Sequence, residues 1–147
     1  MKIISHRGNL YGPSLSTENH KDQIYEALSH GFDVEVDIWF KNGKYYTGHD
    51  YPKYLISNKF INDISPNAWF HCKNLDALYM FSTNFSKLNY FWHESDKFTL
   101  TSSGLIWTYP GQNVTNKSIL VLLEKNKLKI DYSGIYGICT DYPFDFI

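Results

Sequence analysis

Short apolar runs separated by turn-forming residues recur along this chain, and their spacing predicts its elements. Residues 1–5, with Ile3 and Ile4 at their centre, read as a buried strand that ends at His6-Arg7-Gly8. A loop containing Gly12 and Pro13 follows. Ile24, Ala27 and Leu28 then recur at helical spacing. Ser16 or Thr17 can cap this helix, Glu18 would sit in its first turn, and Gly31 stops it. A second strand over 32–39 begins at once. Strand, helix and strand within about 35 residues predict a βαβ unit with two parallel neighbouring strands.

Lys41-Asn42-Gly43-Lys44 is a strong hairpin signal, because Asn-Gly suits a type I′ turn. With residues 41 and 44 paired, Asp37 would face Gly48 and Val36 would face His49. His49 then lies one residue off the face that carries Asp37, unless it reaches back from beyond the ladder or after a bulge. Residues 51–66 read as a linker with at most a helical turn. Further strands are predicted over 68–72, 89–94, 105–108, 119–123 and 136–140, and Asn74 can cap a helix over 75–81. The connections on either side of 105–108 are too short for helices.

The second strand holds the most informative chemistry. Glu35 and Asp37 are spaced i, i+2 among apolar neighbours, so a strand puts both carboxylates on one face. Two buried acids side by side need a cation, a donor network or a proton. A hard divalent ion is the simplest answer, because oxygen ligands suit Mg²⁺ or Ca²⁺.

Composition narrows the class. A chain of 147 residues predicts a single domain over 1–147. Its net charge of −1, with cations spread along the chain, gives no nucleic-acid face. Aromatic residues reach 18%, which suggests a wide core, a sticky surface, or both. Cys72 and Cys139 are too few for a disulfide scaffold and predict reduced, inert thiols in a cytoplasmic protein. The N-terminus lacks a signal-peptide core, and no stretch approaches the roughly 20 apolar residues of a membrane span.

Four blocks in order carry a resemblance. These are His6-Arg7-Gly8, Thr17-Glu18-Asn19, Glu35-Val36-Asp37 and Gly48-His49-Asp50, with Gly137-Ile138-Cys139-Thr140-Asp141-Tyr142-Pro143 as a closing strand. In these residues the chain resembles the glycerophosphodiester phosphodiesterase family, within the superfamily of phosphodiesterases built like phosphatidylinositol phospholipase C. The similarity covers about the first 50 residues and the last 10, and Ile106-Trp107-Thr108 is a weaker match. The resemblance implies an α/β fold, a compact (β/α)₈ TIM-type barrel. Such barrels typically take about 250 residues, so several outer helices should be shortened or missing. Bare barrel flanks would favour a homo-oligomer.

The resemblance also implies a phosphoric diester hydrolase of lipid metabolism. His6 and His49 would be the acid–base pair, working through attack by a neighbouring substrate hydroxyl and a cyclic phosphate. Arg7 would hold a phosphate oxygen, and Lys73 would neutralise charge developing on the phosphoryl group. Glu35 and Asp37 would hold the metal. The family carries Glu-x-Lys on its third strand, where this chain has His71-Cys72-Lys73. Either His71 is the third ligand, or an acid such as Glu94 or Glu124 replaces it. The cofactor by resemblance is one Mg²⁺ or Ca²⁺, and His71 opens the site to Mn²⁺ or Zn²⁺. Trp107, Tyr109 and Trp92 either line a glycerol or sugar pocket or pack the core.

The plainer alternatives are structural histidines at strand ends, a hydrogen-bonded acidic rim, and an Arg7 paired with Glu18 or Asp50. The expected substrate is a small glycerophosphodiester or sugar phosphodiester, with no nucleic acid and no membrane insertion. Rival readings are a catalytically weak module that binds phosphorylated glycerol or sugar, and a lyase that releases a cyclic phosphate.

Overall fold

The computed structural model describes residues 1–125 and 131–147. Among the described residues ten strands form one sheet: β1 Lys2–His6, β2 Asp33–Lys41, β3 Lys44–Thr47, β4 Tyr54–Ile56, β5 Ala68–Cys72, β6 Asn89–Trp92, β7 Phe98–Leu100, β8 Ile106–Thr108, β9 Ser118–Val121 and β10 Gly137–Thr140. The α-helices among the described residues are α1 Lys21–Ser29, α2 Asn58–Ile64 and α3 Leu75–Asn84.

Strand β2 is the organiser. Its nine residues serve three partners. One edge pairs with β5 over Val34–Ile38. The other edge is shared, with β1 parallel to its first half and β3 antiparallel to its second. The predicted hairpin forms in the predicted register, with Lys41 opposite Lys44. Asn42 and Gly43 have φ of 52° and 74°, the two left-handed residues that a type I′ turn requires.

Seven mutually parallel strands run in the order β6-β5-β2-β1-β10-β9-β8, and β7 is antiparallel at the far end. This corrects the expected fold. The sheet is a curled, open half-barrel, not a (β/α)₈ barrel with trimmed helices. No ladder joins β6 to β7 among the described residues; they approach through Ser102, whose N–H donates to the Tyr90 carbonyl at 2.9 Å. The physical reason lies after β6. Residues 93–97, 101–105 and 109–117 are short and rich in Ser, Gly, Pro and Asn, and they fold as turns where a barrel would need crossover helices.

Two further expectations shift. Helix α1 starts at Lys21 with His20 as its cap, three to four residues later than predicted. Residues 14–19 are tied into turns, with the Glu18 N–H donating to the Ser14 carbonyl, and Asn19 sits at φ 63°. A left-handed residue cannot lie inside a helix. The linker over 51–66 contains β4 and α2, the latter capped by Ser57 Oγ accepting from the Phe60 N–H.

Alternation along the strands builds two apolar layers. Val34, Val36, Ile38 and Phe70 face outward to α1–α3 and pack with Ile24 and Phe81. Ile4, Trp69, Phe91, Trp107 and Ile119 fill the concave side. The concave face also carries His6, Glu35, Asp37 and His71, one apolar layer above the floor. No helix among the described residues is long and apolar enough to cross a membrane.

Candidate metal centre and its cavity

Register places the predicted ligands side by side. Asp37 on β2 is the partner of His71 on β5, and Glu35 is the partner of His6 on β1. His6 ends β1 and His71 is the penultimate residue of β5, and the register sets Glu35 and Asp37 of the longer β2 level with them, so the four meet where the parallel neighbours run out into loops. Ligand atoms of Glu35, Asp37 and His71 all lie within 4.8 Å of one another, and all three residues are buried.

The two oxygens of Asp37 have separate tasks. Oδ2 accepts from Asn19 Nδ2 at 2.9 Å and lies 3.0 Å from Arg7 Nε. Oδ1 is buried without a hydrogen bond and points to the cluster, 3.0 Å from His71 Nδ1. Burial pushes the Asp37 carboxyl up, but the His49 and His71 rings and the Arg7 charge outweigh it and hold it well below the usual range.

His71 is oriented by its far nitrogen. Nε2 lies 3.1 Å from the His93 carbonyl oxygen, which can only accept. In the neutral ring the proton therefore sits on Nε2, and Nδ1 faces the two carboxylates. Burial lowers the basicity of this ring, yet the Asp37 and Glu35 carboxylates outweigh it and raise its pKa to about 9. A buried carboxylate oxygen without a hydrogen bond, a second carboxylate and an aimed imidazole nitrogen fit a divalent cation with a mixed oxygen–nitrogen donor set. The described residues could thus hold one metal ion at Glu35, Asp37 and His71.

His6 is set from behind. Its Nδ1 lies 2.8 Å from Asp141 Oδ1, just past β10, and the same oxygen accepts from Asn9 Nδ2 at 2.8 Å. Its Nε2 lies 3.9 Å from Glu35 Oε2. His49 leaves the ladder at Gly48 and turns back, so that Nδ1 lies 3.3 Å from Asp37 Oδ2. The offset read from the hairpin register is real, and the chain beyond the ladder overcomes it.

Arg7 is held on three sides. Nη1 donates to Glu18 Oε1 at 3.2 Å, Nη2 donates to His49 Nδ1 at 2.7 Å, and Nε flanks Asp37. The fork expected to grip a phosphate oxygen therefore engages protein groups. Arg7 itself is left-handed, with φ 54°, and its N–H donates to Glu35 Oε2 at 3.1 Å. That conformation costs on the order of 1 kcal/mol and aims a backbone donor at the centre. Glu18 is a buried partner of Arg7 and not a helix-terminal charge.

These groups open onto one cavity of about 410 Å³, lined by His6, Arg7, Glu35, His49, His71 and Lys73 on its polar side. Lys73 Nζ lies 3.7 Å from Asp37 Oδ1. The opposite wall is apolar and includes Trp107, stacked on Phe91 at 4.5 Å. Trp92 and Tyr109 also line the cavity. Glu94 is exposed at its edge, outside the three-ligand group, and Glu124 is exposed as well. Cys72 and Cys139 are buried free thiols, and burial pushes Cys72 up to about 12, which leaves it inert.

Asp141, Asn9 and the bracketing role of Asn19 were not legible from the sequence. Asp141 and Asn19 fall in the matched blocks, but no local pattern pairs them with His6 or Asp37. His93 stacks on Tyr109 at 3.9 Å and supplies the carbonyl that orients His71. Compared with protein-family models, curated proteins and solved structures, the chain matches none.

Proposed function

We propose that the protein is a metal-dependent phosphodiesterase acting on a small glycerophosphodiester or sugar phosphodiester. The observation that carries this reading is convergence. Glu35 and His71 of the buried three-residue group line a single cavity together with two further histidines, His6 and His49, and Lys73, and Asp37 lies fully buried behind them. A bound divalent cation would supply Lewis-acid polarisation of the phosphoryl oxygens.

The chain's own residues do the rest. Asp141 keeps a proton on His6 Nδ1, so Nε2 is free to take the proton of an attacking hydroxyl. Arg7 donates to His49 Nδ1, which puts the His49 proton on Nε2 as the donor toward the leaving oxygen. Lys73 offsets phosphoryl charge on the same wall. The cavity volume lies within the roughly 300–1,000 Å³ of small-molecule sites, and its apolar wall suits the carbon skeleton of the alcohol.

The test is hydrolysis of bis(p-nitrophenyl) phosphate and glycerophosphocholine by EDTA-stripped protein, with Mg²⁺, Ca²⁺, Mn²⁺ or Zn²⁺ added back. Turnover restored by one ion, and lost in Glu35→Gln, supports the reading. Folded protein that binds an ion but cleaves neither these diesters nor a sugar phosphodiester would overturn it.

A further inference from the structure

Asn19 is fully buried and uses every polar group it has. Its Oδ1 accepts from the Asp37 N–H at 2.9 Å, while its Nδ2 donates to Asp37 Oδ2 at 2.9 Å. One amide therefore grips both the backbone and the side chain of the same residue. Its own N–H donates to the Arg7 carbonyl at 2.9 Å, and its carbonyl accepts from Thr47 Oγ1 at 2.7 Å. Thus it ties the turn after β1 to the end of β3. Its backbone is left-handed, at φ 63°.

The bracket has a consequence for Asp37. With the backbone N–H and Oδ2 both fixed by one rigid amide plane, rotation of the carboxylate is blocked. Oδ1 is left as the oxygen without a hydrogen bond, turned to Glu35 and His71. A free carboxylate could instead turn both oxygens to an ion or to the nearby cations. We propose that Asn19 is a positioning residue for the metal centre: it orients Asp37 so that Oδ1 alone enters the site. This inference rests on the metal-centre reading, but it concerns the second layer of contacts around a ligand. Such contacts commonly change metal affinity 10- to 100-fold when they are removed.

The left-handed backbone offers a clean variant. Glycine accepts φ 63° without strain, so Asn19→Gly keeps the backbone bonds to Arg7 and Thr47 and removes the bracket. A built-in control exists elsewhere. Asn74 brackets Phe40 in the same way, with Oδ1 accepting from the Phe40 N–H at 3.2 Å and Nδ2 donating to the Phe40 carbonyl at 2.8 Å, on the outer side of the sheet. Asn74→Gly therefore removes a half-buried bracket, and with it the cap of α3 on the Ala77 N–H, away from the centre.

The experiment is isothermal titration of Mn²⁺ into metal-free wild type, Asn19→Gly and Asn74→Gly, with the metal-free melting temperature of each measured in parallel. The expected result is roughly 10- to 100-fold weaker Mn²⁺ binding in Asn19→Gly and unchanged affinity in Asn74→Gly, although both melt lower. Wild-type affinity in folded Asn19→Gly would overturn the proposal and leave the centre intact. Equal losses of affinity in both variants would also overturn it, by showing a general effect of stability. Absence of Mn²⁺ binding in the wild type would instead remove the metal centre on which the inference stands.

Discussion

Asp141 Oδ1 lies 2.8 Å from His6 Nδ1, across 135 residues of sequence. The contact exists because β10 pairs directly with β1, so the residue after one strand meets the last residue of the other. Asn9 Nδ2 donates to the same oxygen, which keeps the carboxylate in place. Asp141→Asn can present an amide N–H to His6 and reverse the tautomer of the ring. We expect kcat on the diester cleaved by the wild type to fall roughly 10²–10⁴-fold, with KM little changed. Steady-state kinetics with ¹⁵N-histidine NMR would check both. A variant with wild-type kcat would exclude His6 as the group that takes the proton.

His71 stands where the resembled family has a carboxylate, and this sets the preferred ion. An imidazole with two carboxylates favours Mn²⁺ or Zn²⁺ over Mg²⁺ or Ca²⁺, because nitrogen is a poor ligand for the hardest cations. His71→Asp restores an all-oxygen set. Calorimetry should show wild type binding Mn²⁺ more tightly than Mg²⁺, and the ratio should shrink by about tenfold or more in the variant. An unchanged ratio would mean that His71 is not a ligand.

The same cluster makes metal-free protein pH-sensitive. His71 is raised from 6.5 to about 9, so its contribution is fully present below pH 6.5 and is lost as the pH rises through 9. A shift of this size corresponds to about 3 kcal/mol. Asp37 is shifted the other way, so its contribution is present above the ordinary carboxylate range and is lost as the pH falls through it and below. Thermal melts of the EDTA-treated protein should therefore weaken between pH 6.5 and 9. In His71→Gln that alkaline limb should flatten. An alkaline limb of equal slope in the variant would assign the effect to another group.

Local rules made much of this site readable and global closure made the rest opaque. The i, i+2 carboxylates of β2, the Asn42-Gly43 turn and the Asn74 cap each follow from the conformation of a few adjacent residues. Those features put Glu35 and Asp37 on one face and fixed the offset of His49. The metal group of Glu35, Asp37 and His71 follows once β5 lies beside β2. By contrast, Asn19 depends on one left-handed residue that also delays α1, and no periodicity marks it. Asp141 depends on which strand neighbours β1. The open sheet depends on the short turns that join β6, β7, β8 and β9 in place of crossover helices, a property of the whole path. The closed barrel is an expectation carried by matching site residues alone, and site residues constrain only the strands that bear them.

Gly48 decides whether His49 reaches the site at all. Its φ of 144° is open to glycine and rarely to other residues, and a Cβ there would be driven into the Tyr51 carbonyl oxygen and meet Lys53 Cβ at 2.9 Å. Lys53 and Gly48 itself are both held, since the Lys53 N–H donates to the Thr47 carbonyl at 3.0 Å and Trp39 Nε1 donates to the Gly48 carbonyl at 2.6 Å. Gly48→Ala must therefore move the 48–53 turn, at a cost of about 2 kcal/mol or more. His49 moves with it, whereas Glu35, Asp37 and His71 stay on β2 and β5. The expected outcome is a large loss of turnover with Mn²⁺ affinity retained. Gly43→Ala is the matched control, because its φ of 74° is also strained for alanine but a Cβ there meets nothing within 4 Å. It should lower stability by about 1 kcal/mol and leave turnover alone. If Gly48→Ala kept full turnover while folded, His49 would have no part in the reaction.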